Sequence, residues 1–401
     1  MTFSPITLAG FAYGLGWATT INVVGELYLA ELLAIASFPF LRTYAEIAKS
    51  EVIRYVFGGY LILLCGLVIS DIMNSTPIND SLRGWANPIL ATLNMLFVAS
   101  LIRRRPMALK SILLGIVMGK LLANGLPNPN SISSNANALK SQFVPILVPV
   151  VLVATIYLSR HRAFLSSIMF LLVGFSLLVS GARSAGLIFI VAGAVLVFGR
   201  GIAKFGWVGT IIAICVLAPF AYSGFALYVD YALGGRAGGN SSWQVLLIDN
   251  PYNPLDWIVL GRSDTVVGLI AFFDRPLLGH GSWARDVGGV YSELTADINH
   301  LQQVHYSDII RGHSVILTAG VWGGLLGLIG IFLSTFTVVK RFPKILNSRS
   351  ELRPAMLFLF IDLVWNLLFS PLGHIRTTFP LVIALVAYIE IHNHDSEVRF
   401  A

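Results

Sequence analysis

Charge is scarce in this sequence. Only 12% of its 401 residues are Asp, Glu, Lys or Arg, where a soluble globular domain carries about 25%. With 56% hydrophobic residues and a mean hydropathy of +0.77, the apolar excess is more than a water-soluble core can absorb. That excludes an ordinary soluble enzyme. Cysteine is almost absent, and Cys65 and Cys215 each sit inside an apolar run, which excludes a disulfide framework. No cleavable signal peptide is evident, and the first apolar stretch, beginning at Ile6, reads as a retained anchor helix. Internal repeats, low-complexity tracts and a separate soluble domain are missing too, so residues 1–401 read as a single membrane domain.

Long apolar runs are abundant. A spanning helix needs roughly 20 mainly apolar residues, and by that measure the chain reads as about twelve spans. They centre near residues 14, 34, 64, 94, 116, 150, 172, 191, 216, 326, 362 and 384. The second is weak, because Glu26, Glu31 and Pro39 interrupt or flank it. The eleventh carries Asp362 and Asn366 one helical turn apart on the same face. The expected fold class is an all-α polytopic integral membrane protein.

A net charge of +7 invites a nucleic-acid partner, but the positions of the charges exclude one. They fall in short clusters between apolar runs: Arg103-Arg104-Arg105 with Lys110, Arg160 with Arg162, Lys340-Arg341 with Lys344, Arg349 and Arg353. The alternate short segments hold only Arg83, Lys120, Lys140, Arg183 and Arg376. By the positive-inside rule the first set is cytoplasmic. An even number of spans then puts both termini in the cytoplasm and the long 230–313 loop outside. That loop is net acidic. Arg236, Arg262, Arg275, Arg285 and Arg311 face Asp230, Asp249, Asp256, Asp264, Asp274, Asp286, Asp297, Asp308 and Glu293, so its arginines act singly if they act at all.

Within the loop, apolar residues at 266, 267, 269, 270, 272 and 273 predict a short helix from Asp264 to Asp274 lying along the membrane. Asp274-Arg275-Pro276 stops it. A second, more polar helical stretch is expected over 291–312, leading down to His313 at the membrane surface. An arginine and a histidine beside lipid point to chemistry on an anionic, membrane-held substrate.

Four outer-side features carry that expectation. They are Ser180-Gly181-Ala182-Arg183-Ser184 between two spans, Gly261-Arg262-Ser263-Asp264, Asp274-Arg275-Pro276-Leu277-Leu278-Gly279-His280-Gly281, and His313-Ser314 opening a span rich in glycine (Gly320, Gly323, Gly324, Gly327). In this order, over residues 175–330, they resemble the O-antigen ligase and polymerase superfamily of bacterial membrane glycosyltransferases. Its pattern is an S-x-S/A-R turn, an outer-loop arginine, D-x-P-L-x-G-x-G, and a histidine before a G-x-x-G helix. Two departures are visible: Ala182 stands where serine more often precedes the arginine, and Ser314 where asparagine more often follows the histidine.

The resemblance implies a GT-C-like fold in the bacterial inner membrane. It also implies an undecaprenyl-diphosphate-linked glycan donor, and an acceptor that is either a growing glycan (polymerase) or lipid A core (ligase). A flippase and a chain-length regulator would be further partners, with no metal, organic cofactor or nucleic acid.

Physical chemistry supports the same roles. Nucleotide sugars are not expected outside the membrane, so a transferase there needs a lipid-activated donor. Arginine's planar fork pairs with phosphate oxygens and keeps its charge, so Arg183 and Arg262 are candidates to hold the diphosphate and stabilise it as it leaves. The acceptor hydroxyl must lose a proton, and a neutral imidazole accepts one near pH 7. That makes His313 the candidate base, with Asp264, Asp274 and Arg311 in support. Structural competitors exist for each. Arg183 can snorkel at a span end, Arg262 can pair with Asp264, and His313 can cap a helix. Asp274 can simply end its helix, His280 reads as a solvated loop residue, and Asp362, Asn366, His374 and Arg376 read as polar packing between spans. A transporter of lipid-linked glycans is the rival from another class.

Overall fold

The computed structural model describes residues 4–37, 44–125, 139–204, 222–235, 245–246, 248–261, 263–299, 304, 306–310 and 312–400. The apolar runs fold as helices, because a helix satisfies its own backbone donors and acceptors where no water can. In chain order these are α1 (Pro5–Gly16), α2 (Leu29–Ser37), α3 (Glu51–Met73), α4 (Ile78–Arg104), α5 (Ala108–Asn124), α6 (Val144–His161), α7 (Ala163–Val179) and α8 (Arg183–Lys204). There follow α9 (Ser263–Asp274), α10 (Val290–Ile298), α11 (Val315–Val339), α12 (Arg353–Phe369) and α13 (Thr378–Phe400). The sheet among the described residues is one antiparallel hairpin, β1 (Thr20–Asn22) and β2 (Glu26–Tyr28). The all-α class holds.

The count of twelve spans does not. Among the described residues, four helical stretches are long and apolar enough to cross a membrane: Glu51–Met73, Ile78–Arg104, Leu139–Arg160 and Val315–Asn347. Phe164–Val179, Arg183–Gly199 and Thr378–Ile391 are shorter apolar helices. The run near residue 14 gives a helix of 12 residues, about 18 Å at 1.5 Å per residue against a hydrocarbon core near 30 Å. The run near residue 34 gives 9 residues behind the hairpin. The helices near 116 and 362 have 17 residues each, and the run near 216 lies outside the described residues.

The centre is the antiparallel pair α3 and α11. Glycines let the two backbones touch: a Cβ on Gly59 would stand 2.6 Å from the Gly330 carbonyl oxygen, and one on Gly66 would stand 2.7 Å from the Gly327 nitrogen. Small residues at a helix crossing give this close packing where lipid offers no hydrophobic drive between helices. The glycine-rich span is therefore a packing surface.

α11 is broken at Gly324, whose φ of 59° and ψ of −150° leave the helical region. The break frees backbone groups, and the loop after α9 takes them up. His280 N donates to Val321 O at 2.7 Å, Gly281 N to Trp322 O at 3.2 Å, and Leu325 N to Leu277 O at 3.4 Å. A Cβ on Gly279 would lie 2.6 Å from Gly324 N, so the Leu-Leu-Gly-His-Gly stretch is a backbone plug that only glycine allows. The end of α3 holds the plug from the other side. Asn74 donates to Gly279 O, Ser70 Oγ accepts from Gly281 N, and the buried Asp71 accepts from Ser282 N, Ser282 Oγ and Trp85 Nε1.

The two ends of the bundle differ in chemistry. At one, the buried Arg341 reaches Glu51 (2.6 Å) and Glu390 (3.0 Å), while Arg103 pairs with Glu46 and Arg105 donates to Ser4 Oγ. Ser4 and Glu390, near the two ends of the described chain, therefore share this end. The loop after α9, the hairpin and His313 lie at the other.

Candidate active site

The short helix expected at Asp264–Asp274 is present as α9, and it carries Asp264 in its first turn. The second expected helix is corrected. α10 spans only Val290–Ile298, and residues 306–310 are not helical, because they pair with the strand-like segment after the plug. Arg285 bridges Ile309, Ile310 N donates to Ala284 O at 2.8 Å, and Asp286 N donates to Asp308 O at 3.2 Å. Asp286 in turn accepts from Tyr291 N, Ser292 N and Ser292 Oγ, which fixes the start of α10.

This fold brings two of the expected residues into contact. His313, just before α11, meets Asp264 at the start of α9, with His313 Nε2 2.9 Å from Asp264 Oδ2. The carboxylate is mostly covered, at 18% side-chain exposure, while the imidazole is 46% exposed, so the ring is held from behind and open in front. Ser314 closes the helix start, accepting from Leu317 N and donating to Leu367 O at 2.9 Å. A carboxylate on Nε2 fixes that nitrogen as the N–H and leaves the Nδ1 lone pair to act.

His313 stands on the wall of a cavity of about 950 Å³. Among the described residues the wall combines the hairpin (Val23 to Tyr28), α4 (Leu82, Arg83, Asn87), Trp283, Trp322 and the 371–377 turn with His374 and Arg376. Trp283 holds a left-handed φ of 55°, a strained state for a bulky side chain. It sets its ring 5.6 Å from Trp322 and 5.2 Å below the Arg83 guanidinium. Arg83 is 43% exposed and 3.7 Å from Asp80. Arg376 is committed elsewhere: it forks onto the fully covered Glu31 and donates to Glu26 O. Burial holds the His374 imidazole below its ordinary pKa, favouring its neutral form. Among the described residues no three His, Cys, Asp or Glu side chains converge as a metal site would require.

No family model, curated protein or solved structure matches this chain. The site is read from its own geometry.

Of the other expected residues, Arg183 starts α8 with its guanidinium 5.5 Å from the Trp257 ring, and it does not line the cavity beside His313. Arg262 and Arg311, like His300 and His305, lie outside the described residues. Asp274 ends α9 and accepts from the Tyr291 hydroxyl at 2.7 Å, far along the helix from Asp264. It ties α9 to α10. His280, expected as a solvated loop residue, is half-buried with Nε2 2.8 Å from Ala271 O, and burial lowers its pKa. Asp362 and Asn366 bond to each other within α12 at 3.0 Å, so they are packing. Arg83 and His374 are the cavity residues that sequence reasoning leaves aside. The signal for them is present in the short roll of outer-side cations, which names both Arg83 and Arg376.

Proposed function

We propose that this chain is a multi-pass glycosyltransferase of the bacterial inner membrane, with both termini cytoplasmic and the cavity facing outward. It would transfer a glycan from an undecaprenyl-diphosphate-linked donor to an acceptor hydroxyl. The observation that carries the reading is the 2.9 Å contact of His313 with Asp264 at the wall of a large, aromatic, cation-bearing cavity. A carboxylate-braced imidazole that is open on one side is what a general base needs.

In this reading the acceptor O–H gives its proton to His313 Nδ1 as its oxygen bonds to the anomeric carbon. The carbon–oxygen bond to the diphosphate breaks, and the diphosphate leaves with the electron pair. Asp264 stabilises the resulting imidazolium. The anomeric centre inverts, because the account contains one displacement and no covalent glycosyl intermediate. Arg262, two positions before Asp264, holds the diphosphate, and Arg83 joins it from α4. Arg183 keeps at most an outer binding role, since it stands apart from the cavity wall. Polymerisation of a surface polysaccharide is the preferred outcome, with transfer to lipid A core as the alternative acceptor.

Feeding purified protein a labelled lipid-diphosphate-linked oligosaccharide tests the reading. Glycan joined to a new hydroxyl, with release of the lipid diphosphate, supports it; longer glycan marks a polymerase and labelled lipid A core a ligase. Movement of intact donor across a vesicle membrane with no new covalent product would replace it with transport.

A further inference from the structure

At the end of the bundle opposite His313, a second cavity of about 460 Å³ opens between α6, α8 and the segment leading into α12. α12 sets the separation: Leu367, near one of its ends, accepts from Ser314, while Arg353 begins the other. Its 17 residues put the two cavities roughly 25 Å apart at 1.5 Å per residue.

Three arginines from two distant stretches of sequence line this cavity: Arg160 at the end of α6, and Arg349 and Arg353 before and at the start of α12. Ser348 and Ser350 stand between them, with Glu351 as the single acid. The lining keeps a positive excess. Arg353 is only 6% exposed and donates through Nη2 to Leu196 O at 3.5 Å, which anchors it to α8. Ser159 Oγ donates to Glu351 O at 2.6 Å and ties α6 to the same segment. The bland account is that arginines on this side only set topology. Topology asks for no cavity, and it is served equally by lysine. Lys340 and Lys344, on the same side, do not line this space.

We propose that this cavity binds a phosphate group, held by the forks of Arg160 and Arg349 above the buried Arg353. Guanidinium forks match phosphate oxygens in pairs, and the serine hydroxyls add neutral donors. The phosphate belongs either to the headgroup of an anionic phospholipid, since basic pockets between helices on the cytoplasmic side suit such headgroups, or to a soluble phosphate. The volume is larger than a bare phosphate needs, which favours the headgroup. The proposal is independent of any activity at His313.

Thermal unfolding of the full-length protein in a zwitterionic detergent, followed by tryptophan fluorescence, tests it. The probes are phosphatidylglycerol, phosphatidylcholine and inorganic phosphate. Phosphatidylglycerol should raise the midpoint of the wild type and of the K340Q/K344Q control. In R160Q/R349Q the half-saturating concentration should rise about tenfold or more, as expected for loss of charge-assisted hydrogen bonds. Inorganic phosphate reproducing the shift would assign the site to a soluble phosphate, and phosphatidylglycerol acting alone would assign it to a headgroup. If the glutamine pair does not purify, R160K/R349K, which keeps the charge and loses the forks, should weaken the response in the same direction. An equal response in wild type and either double variant, or no response to phosphatidylglycerol or phosphate, overturns the proposal.

Discussion

His313 and Asp264 divide one task between them: the carboxylate takes Nε2–H, and Nδ1 is left to accept a proton. Asp264→Asn keeps an acceptor for Nε2–H but no longer stabilises the imidazolium, so turnover should fall by roughly a hundredfold or more with KM little changed. A fall in KM and kcat together with loss of protein from the membrane would mark Asp264 as structural instead. His280 makes a prediction of a different kind. Burial, with Arg275 nearby, holds its pKa below the ordinary 6.5, so below that pH the unfolded chain binds a proton that the folded chain resists. Stability from this residue is complete above about pH 6.5 and is lost as pH falls towards the lowered folded value. The unfolding midpoint should therefore drop between pH 7 and 5, and His280→Gln should flatten that drop. An unchanged slope would contradict the assignment. Both His313 and Asp264 can be read from sequence as polar residues at the ends of apolar helices. Their contact cannot, since it depends on α9 folding back over the start of α11. Arg83 and His374 escape for the same reason: the hairpin and the 371–377 turn that bring them to the wall have no local pattern announcing where they dock.

At the scale of the element, the broken helix α11 and its plug are the most demanding construction in the chain. Gly324 adopts φ 59°, and a Cβ there would collide with the Leu277 carbonyl. Gly324→Ala should cost on the order of 1–3 kcal/mol from backbone strain alone, more with the collision. Gly66→Ala, whose new Cβ would meet Gly327 N at 2.7 Å, should cost about 1–3 kcal/mol by overpacking. Gly58→Ala, where nothing lies within 4 Å, is the control. Unfolding midpoints in detergent check all three, and equal stability of Gly66→Ala and Gly58→Ala would refute the close crossing of α3 and α11. The G-x-G of the loop and the G-x-x-G of the span stand out in the sequence as separate features. The structure joins them, because the loop glycines fill the break beside the helix glycines. Helix α9 was legible from its apolar periodicity. The 306–310 segment was not, because its extended form comes from pairing with residues 284–286, a partner that periodicity cannot reveal.

For the whole molecule, composition settles the class and leaves the number of crossings open. An apolar run marks a segment that avoids water, but a 12-residue helix such as α1 satisfies that condition without the length to cross a bilayer. Polarity between the two ends is firmer. Arg341, Arg103 and Arg105 gather at one end with Ser4 and Glu390, while His313, the hairpin and the plug gather at the other. The proposed orientation makes Val287, 86% exposed in the outer loop, reachable from outside. In a chain lacking Cys65 and Cys215, Val287→Cys should label with a membrane-impermeant thiol reagent in intact spheroplasts, and Ser348→Cys should label only after lysis. The reverse pattern would put the cavity in the cytoplasm and remove the need for a lipid-activated donor.

The central claim is that His313 takes the acceptor's proton. The most direct measurement is the single-turnover rate of glycan transfer from a labelled lipid-diphosphate donor by purified wild-type protein and by His313→Gln, at matched folding and donor occupancy. Glutamine keeps a hydrogen bond to Asp264 and cannot take up a proton near neutral pH. The account predicts that the variant binds donor normally and transfers roughly 10²–10⁴-fold more slowly. Transfer by His313→Gln at nearly the wild-type rate would contradict it.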